Sequence, residues 1–132
     1  MFQFGHNSLK NLKTCHPEII VLMKEALFYS PIDFGISCGY RTTEEQQRLF
    51  KNGKTKCDGI IKVGNHQNFP SDAVDIYAYV NSKLSYDPNH LCVIAGVVLS
   101  VAKELKLNIR WGGTFGSKDW HGWDMPHYER KA

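Results

Sequence analysis

His66, Asp75 and His127 are two imidazoles and a carboxylate, the protein donor set with which a catalytic zinc is commonly held while a fourth position stays open to water or substrate. Eight residues separate His66 from Asp75, and Asp124 precedes His127 by three, with Pro126 stiffening the link. Asp124 is thereby placed to stand beside a bound water as its proton acceptor, or to orient a ligating imidazole through that ring's other nitrogen. Such a set implies hydrolysis. Any one of these histidines alone reads more simply as an exposed loop residue, so the signal lies in the combination. His121, in Trp120-His121-Gly122-Trp123, is the rival ligand. Glu129 shares a strand face with His127, where it could support that ring.

The elements that must position these residues follow from periodicity and punctuation. Asn7 or Ser8 is a candidate cap for one helical turn through Leu12. From Pro17, a favourable first helical residue, Ile19, Ile20, Met23, Ala26 and Leu27 fall on one face of a helix ending near Tyr29. Ser30-Pro31 breaks it, and Phe34-Gly35-Ile36-Ser37-Cys38 reads as a strand delivering Gly39-Tyr40-Arg41. Thr42 and Glu45 form a capping box for a helix reaching about Phe50, which puts Arg41 at a strand-to-helix junction. Residues 52–65 read as a turn-rich loop leading to His66. Residues 73–79 form a β-branched and aromatic strand in which Asp75 shares a face with Ala73, Tyr77 and Tyr79. After an Asn81-Ser82 turn, Asp87-Pro88 opens the core helix, with Leu91, Ile94, Ala95, Val98, Val101, Ala102 and Leu105 as its apolar stripe. Ile109-Arg110-Trp111 is a strand, Gly112-Gly113 a turn, and His127-Tyr128-Glu129 a final strand. Trp111 is expected to pack behind the site.

The order His, eight residues, Asp, then Asp-x-x-His-x-Glu resembles the zinc peptidases related to D-Ala-D-Ala carboxypeptidases, and most of all the phage L-alanyl-D-glutamate endopeptidases. The resemblance extends through Phe2-Gln3-Phe4-Gly5, Ser30-Pro31-Ile32-Asp33-Phe34, Gly39-Tyr40-Arg41-Thr42, Pro70-Ser71-Asp72-Ala73-Val74-Asp75 and Arg110-Trp111-Gly112-Gly113. It implies an α+β domain of hedgehog and D-Ala-D-Ala peptidase type, with helices packed on a small, mainly antiparallel sheet. It further implies Zn²⁺ on His66, Asp75 and His127, Asp124 as general base, and Arg41 as a clamp for a substrate carboxylate. A solvated surface cation is the simpler reading of Arg41 alone. The implied substrate is a peptidoglycan stem peptide cut between L-Ala and D-Glu, with a D-Ala-D-Ala carboxypeptidase as the alternative enzyme. Two positions depart from the pattern: Thr114 stands where an Asp commonly follows the Trp-Gly-Gly turn, and Gly64-Asn65 where a Ser usually precedes the first ligand. Neither removes a ligand, but both bear on the shape of the cleft.

A chain of 132 residues suits one domain with one core, and no linker marks off a separate wall-binding module. The net charge of +3 is scattered, without the basic stripe and interleaved aromatics of a nucleic-acid module. A noncatalytic zinc-stabilised binding module is the rival from another class, against which Asp124 argues. No apolar run is long enough for a bilayer and the N-terminus lacks a signal-peptide pattern, so synthesis in the cytoplasm is expected, with access to the wall after membrane breach. Cys15, Cys38, Cys57 and Cys92 lack paired spacing and read as free thiols in a monomer.

Overall fold

The computed structural model describes residues 1–53, 64–115 and 124–131. Among the described residues four α-helices, α1 (His6–Leu12), α2 (Pro17–Tyr29), α3 (Thr43–Lys51) and α4 (Pro88–Glu104), accompany five strands. The strands are β1 (Asp33–Cys38), β2 (Ala73–Val80), β3 (Lys83–Ser85), β4 (Ile109–Trp111) and β5 (His127–Arg130). Every ladder is antiparallel, and β2 is the axis. Its one edge carries β1; its other edge is shared by β5 against Ala73–Asp75 and β3 against Ala78–Val80, with β4 outside β5. The α+β expectation therefore holds.

Strand alternation divides β2 between two environments. Val74, Ile76 and Ala78 are fully buried among Ile19, Met23, Ala26, Ile94 and Val98. Asp75, Tyr77 and Tyr79 face the other way, onto the side of the sheet that α2 and α4 leave open. Burial of the β2, α2 and α4 stripes supplies the main driving force, at roughly 25 cal/mol per Å² of apolar surface.

Local signals explain the helix starts. Thr42 Oγ1 accepts from the Glu45 amide at 3.1 Å while the Glu45 carboxylate accepts from the Thr42 amide, so the anticipated capping box is present. Asp87 caps α4 through the Asn89 amide, and Pro17 follows a His16 cap. The α1 expectation needs correction: Gly5 is its N-cap, without a side-chain bond. Ser8 lies buried inside the helix, where its Oγ accepts from the Ile36 amide at 3.0 Å, and Asn11 Nδ2 donates to the Ile36 carbonyl at 2.9 Å. Thus α1 covers the free edge of β1 and satisfies backbone groups that an open edge would leave to water or another chain. Leu105 also differs, standing as the C-cap of α4 and 38% exposed instead of completing the stripe. The Asn81-Ser82 turn starts a hairpin, because both residues adopt left-handed φ values of 54° and 62° and fold β3 back onto β2.

Among the described residues Cys15, Cys38 and Cys92 are free, and Cys57 lies outside them. Burial pushes the Cys15 thiol up to about 12, whereas Cys92 is exposed. Thiolate character governs alkylation, so iodoacetamide at neutral pH should label Cys92 and spare Cys15 until the chain is unfolded. Peptide mapping with and without denaturant checks this, and equal labelling in the native protein would contradict the core placement.

Candidate active site

The site forms where β1, β2, β5 and the turn before β2 meet. His66 lies on a single 3-10 turn, Asn65–Gln67, closed by Gln67 Oε1 accepting from the Gly64 amide at 3.0 Å. Its carbonyl accepts from the Arg41 amide at 2.6 Å, locking the turn to the end of β1. The buried ring places Nδ1 2.7 Å from the Gly39 carbonyl. A carbonyl only accepts, so Nδ1 carries a proton and Nε2 is the nitrogen directed at Asp75.

His127 is held in the mirror sense. Its Nε2 is 2.8 Å from Glu129 Oε1, so that nitrogen donates and Nδ1 is left facing inward. The expected shared face of His127 and Glu129 is observed, and Arg110, opposite Glu129 in the β4–β5 register, approaches its other oxygen at 3.9 Å. Phe115 packs edge-on to the His127 ring at 5.4 Å and is itself covered by the Arg110 guanidinium.

The three inward atoms close a small triangle. His66 Nε2 lies 3.2 Å from Asp75 Oδ1 and 3.2 Å from His127 Nδ1, and His127 Nδ1 lies 3.0 Å from Asp75 Oδ1. One cation can touch all three corners. The electrostatics express the same crowding. Burial opposes charge on Asp75, but the His66 charge and hydrogen bonds from both imidazoles overcome it and hold the carboxyl well below the usual carboxylate range. Burial likewise opposes protonation of His66 and His127, yet Asp75 pushes His66 up to about 10, and Asp75 with Glu129 pushes His127 up to about 9.

Asp124 stands at the rim. Its Oδ2 is 3.9 Å from His127 Nδ1 and its side chain is half-exposed. The backbone is firmly placed: the Asp124 amide donates to the Gly112 carbonyl at 3.1 Å and its carbonyl accepts from the His127 amide at 3.0 Å. Any side chain at Gly112 would strike the Asp124 backbone, which explains a glycine there. Trp111 Nε1 donates to the Met125 carbonyl at 2.7 Å, so the indole packs behind the site as expected. Burial and the nearby Asp75 charge raise the Asp124 pKa. Arg41 reaches the triangle from the end of β1, with Nη2 3.5 Å from Asp75 Oδ2 and Nη1 2.8 Å from Gln46 Oε1.

Cys38 is the site residue that sequence reasoning missed. Regular alternation would put it with Phe34 and Ile36 on the core side, but a bulge between Ile36 and Cys38 sets it opposite Asp75. Cys38, His66 and Asp75 offer donor atoms within 4.8 Å of one another, a second combination capable of holding a metal. The sulphur nevertheless lies 3.8 Å from His66 Nδ1, the nitrogen already turned to Gly39, and 3.6 Å from the Arg41 guanidinium. His127 meets the inward-facing side of the triangle. His121 and its flanking tryptophans lie outside the described residues.

Fold and donor set together describe a class, a small α+β domain with a cluster that could hold a cation on the open face of its sheet. Residues 1–129 match the family model of phage L-alanyl-D-glutamate peptidase. The chain is 31% identical over 122 residues to the L-alanyl-D-glutamate peptidase of Escherichia phage T5, covering 91% of this chain and 87% of that one. It therefore belongs to the phage L-alanyl-D-glutamate peptidase family, as its motifs implied. The fold is also that of the Serratia marcescens L-Ala D-Glu endopeptidase ChiX, with a TM-score of 0.79 at 24% identity over 98% of this chain and 90% of that one.

Two substitutions separate the donor sets. In equilibrium dialysis against Zn²⁺, His127→Ala should lose the bound metal while Cys38→Ser retains it; the reverse pattern would assign the site to Cys38, His66 and Asp75. Glu129→Gln should weaken binding by about 10- to 100-fold, the usual cost of removing the partner that orients a ligating imidazole.

Proposed function

We propose that the protein is a zinc-dependent peptidoglycan endopeptidase that hydrolyses the L-Ala–D-Glu bond of the stem peptide. The observation that carries this reading is the convergence of His66, Asp75 and His127, with Asp124 beside them, in a chain of this family. With Zn–N and Zn–O distances near 2.0–2.2 Å, the edges of a tetrahedral site are about 3.3 Å. The observed edges of 3.0 to 3.2 Å suit that ion, and with their outer nitrogens donating to Gly39 and Glu129 both imidazoles would offer the inner nitrogen to it in exchange for a proton. When bound, zinc supplies a Lewis acid beside the scissile carbonyl and makes water a better proton donor.

The chain's own groups do the rest. Asp124 accepts the proton of the attacking water and returns it to the amine leaving with D-Glu, a role helped by a pKa raised through burial and the Asp75 charge. Glu129 and the Gly39 carbonyl keep both rings in one tautomer, so no reorientation is needed between turnovers. Arg41 grips the α-carboxylate of D-Glu. Its 3.5 Å contact with Asp75 is longer than the 2.7–2.9 Å of a tight charge-assisted bond, and a guanidinium has further N–H groups to offer. The net positive charge suits an anionic wall, which the enzyme would reach after the inner membrane is breached. Among the described residues no helix is long and apolar enough to cross a membrane.

Digestion of purified sacculi should expose new D-Glu amino termini as turbidity falls. Release of free D-Ala without such termini would overturn the specificity, and new reducing sugar ends would overturn the peptidase reading. Asp124→Asn should fold, keep zinc and lose about 10²- to 10⁴-fold in turnover. Arg41→Ala should weaken cleavage while leaving zinc content intact; normal cleavage by that variant would remove Arg41 from substrate binding.

A further inference from the structure

The open face of the sheet continues past Asp75 as a band of tyrosines. Tyr77 and Tyr79 follow Asp75 on the same face of β2, and Tyr86 stands one residue past Ser85, the β3 partner of Ala78, where alternation turns it to the same face. Tyr79 and Tyr86 are 44% and 51% exposed. Gly35, paired with Tyr77 across the β1–β2 ladder, leaves room for the ring: a side chain there would collide with the Tyr77 phenol. Glycine thus lets the aromatic side chain lie across β1. Beyond it opens a groove of about 130 Å³ whose lining combines Tyr77 and Tyr79 with the polar side chains of Gln3, Ser8 and Asp33.

Rings flanked by hydrogen-bonding side chains suit a ligand with apolar C–H faces and a polar rim, which is the chemistry of a sugar. Position supports the same occupant. The chain enters at Arg41 from the Cys38 end of β1, and the register runs the opposite way from Asp75 through Tyr77 opposite Gly35 to Tyr79 opposite Asp33. If Arg41 holds D-Glu, the other side of the scissile bond points along the tyrosines. On that side L-Ala is joined through a lactyl group to an N-acylated amino sugar, about two residue lengths, or roughly 7 Å, from the bond cut. Tyr77 and Tyr79 stand about 7 and 13 Å along the strand from Asp75.

We infer that the Tyr77–Tyr79–Tyr86 face is a subsite for the N-acylated amino sugar that carries the stem peptide. This rests on the L-Ala–D-Glu endopeptidase reading. It makes the enzyme selective for peptide still attached to glycan over free stem peptide.

The test compares kcat/KM for N-acetylmuramoyl-tripeptide with that for the same tripeptide lacking the sugar. Wild-type protein should favour the sugar-bearing substrate by about tenfold or more, and Tyr79→Ala and Tyr86→Ala should each reduce that ratio several-fold, the scale of one aromatic contact. Tyr79→Phe, which keeps the ring, should restore it. A wild-type ratio near one, or a ratio unmoved by both alanine variants, overturns the subsite while leaving the peptidase intact. Cleavage of neither substrate overturns both. A ratio near one accompanied by self-association that Tyr79→Ala abolishes would give this face to a second copy of the chain.

Discussion

The carboxylate of Asp75 is the constraint around which the site is arranged. It projects from the central strand, between Val74 and Ile76 that point into the core, and is enclosed by groups from three other segments. A charge in such a position is costly unless paired and hydrogen-bonded. His66, His127 and Arg41 all turn toward it, and each needs its own support: Gly39 for His66, Glu129 for His127, Gln46 for Arg41. The metal proposed here would replace imidazole protons as the positive partner of that carboxylate, which couples metal binding to the order of the whole cluster.

Placement of the proton acceptor depends on a second, shorter chain of contacts. Trp111 anchors Met125, Gly112 admits the Asp124 backbone, and Asp124 in turn receives the His127 amide. One strand end therefore sets both a proposed ligand and the proposed base. Backbone hydrogen bonds thus fix the separation of the two residues' main chains, from which the His127 ring and the half-exposed Asp124 carboxylate both reach the site.

Much of this was legible in the sequence because it is written in local signals. The Thr42–Glu45 box, the Pro17 and Pro88 helix starts, and the strand alternation around Asp75 and His127 all depend on neighbours in the chain. What escaped depends on distant partners. The bulge that turns Cys38 toward Asp75 arises from pairing with β2, and Ser8 is recruited by the Ile36 amide instead of capping its own helix. The Asn81-Ser82 turn was anticipated, but not the short β3 that pairs with Ala78–Val80 once its two left-handed residues have reversed the chain. Fold class and the clustering of the five candidate site residues could be anticipated from order and spacing, while Gly39, Gln46 and Phe115 join the site only through tertiary contact.

The most direct test of the central claim is X-ray absorption fine structure at the zinc edge on protein loaded with one equivalent of metal. With His66, Asp75 and His127 as ligands, the first shell should contain only nitrogen and oxygen at about 2.0–2.2 Å, with the outer-shell scattering of two imidazoles. A sulphur scatterer at about 2.3 Å would place Cys38 in the shell, and scattering from fewer than two imidazoles would contradict the site as described.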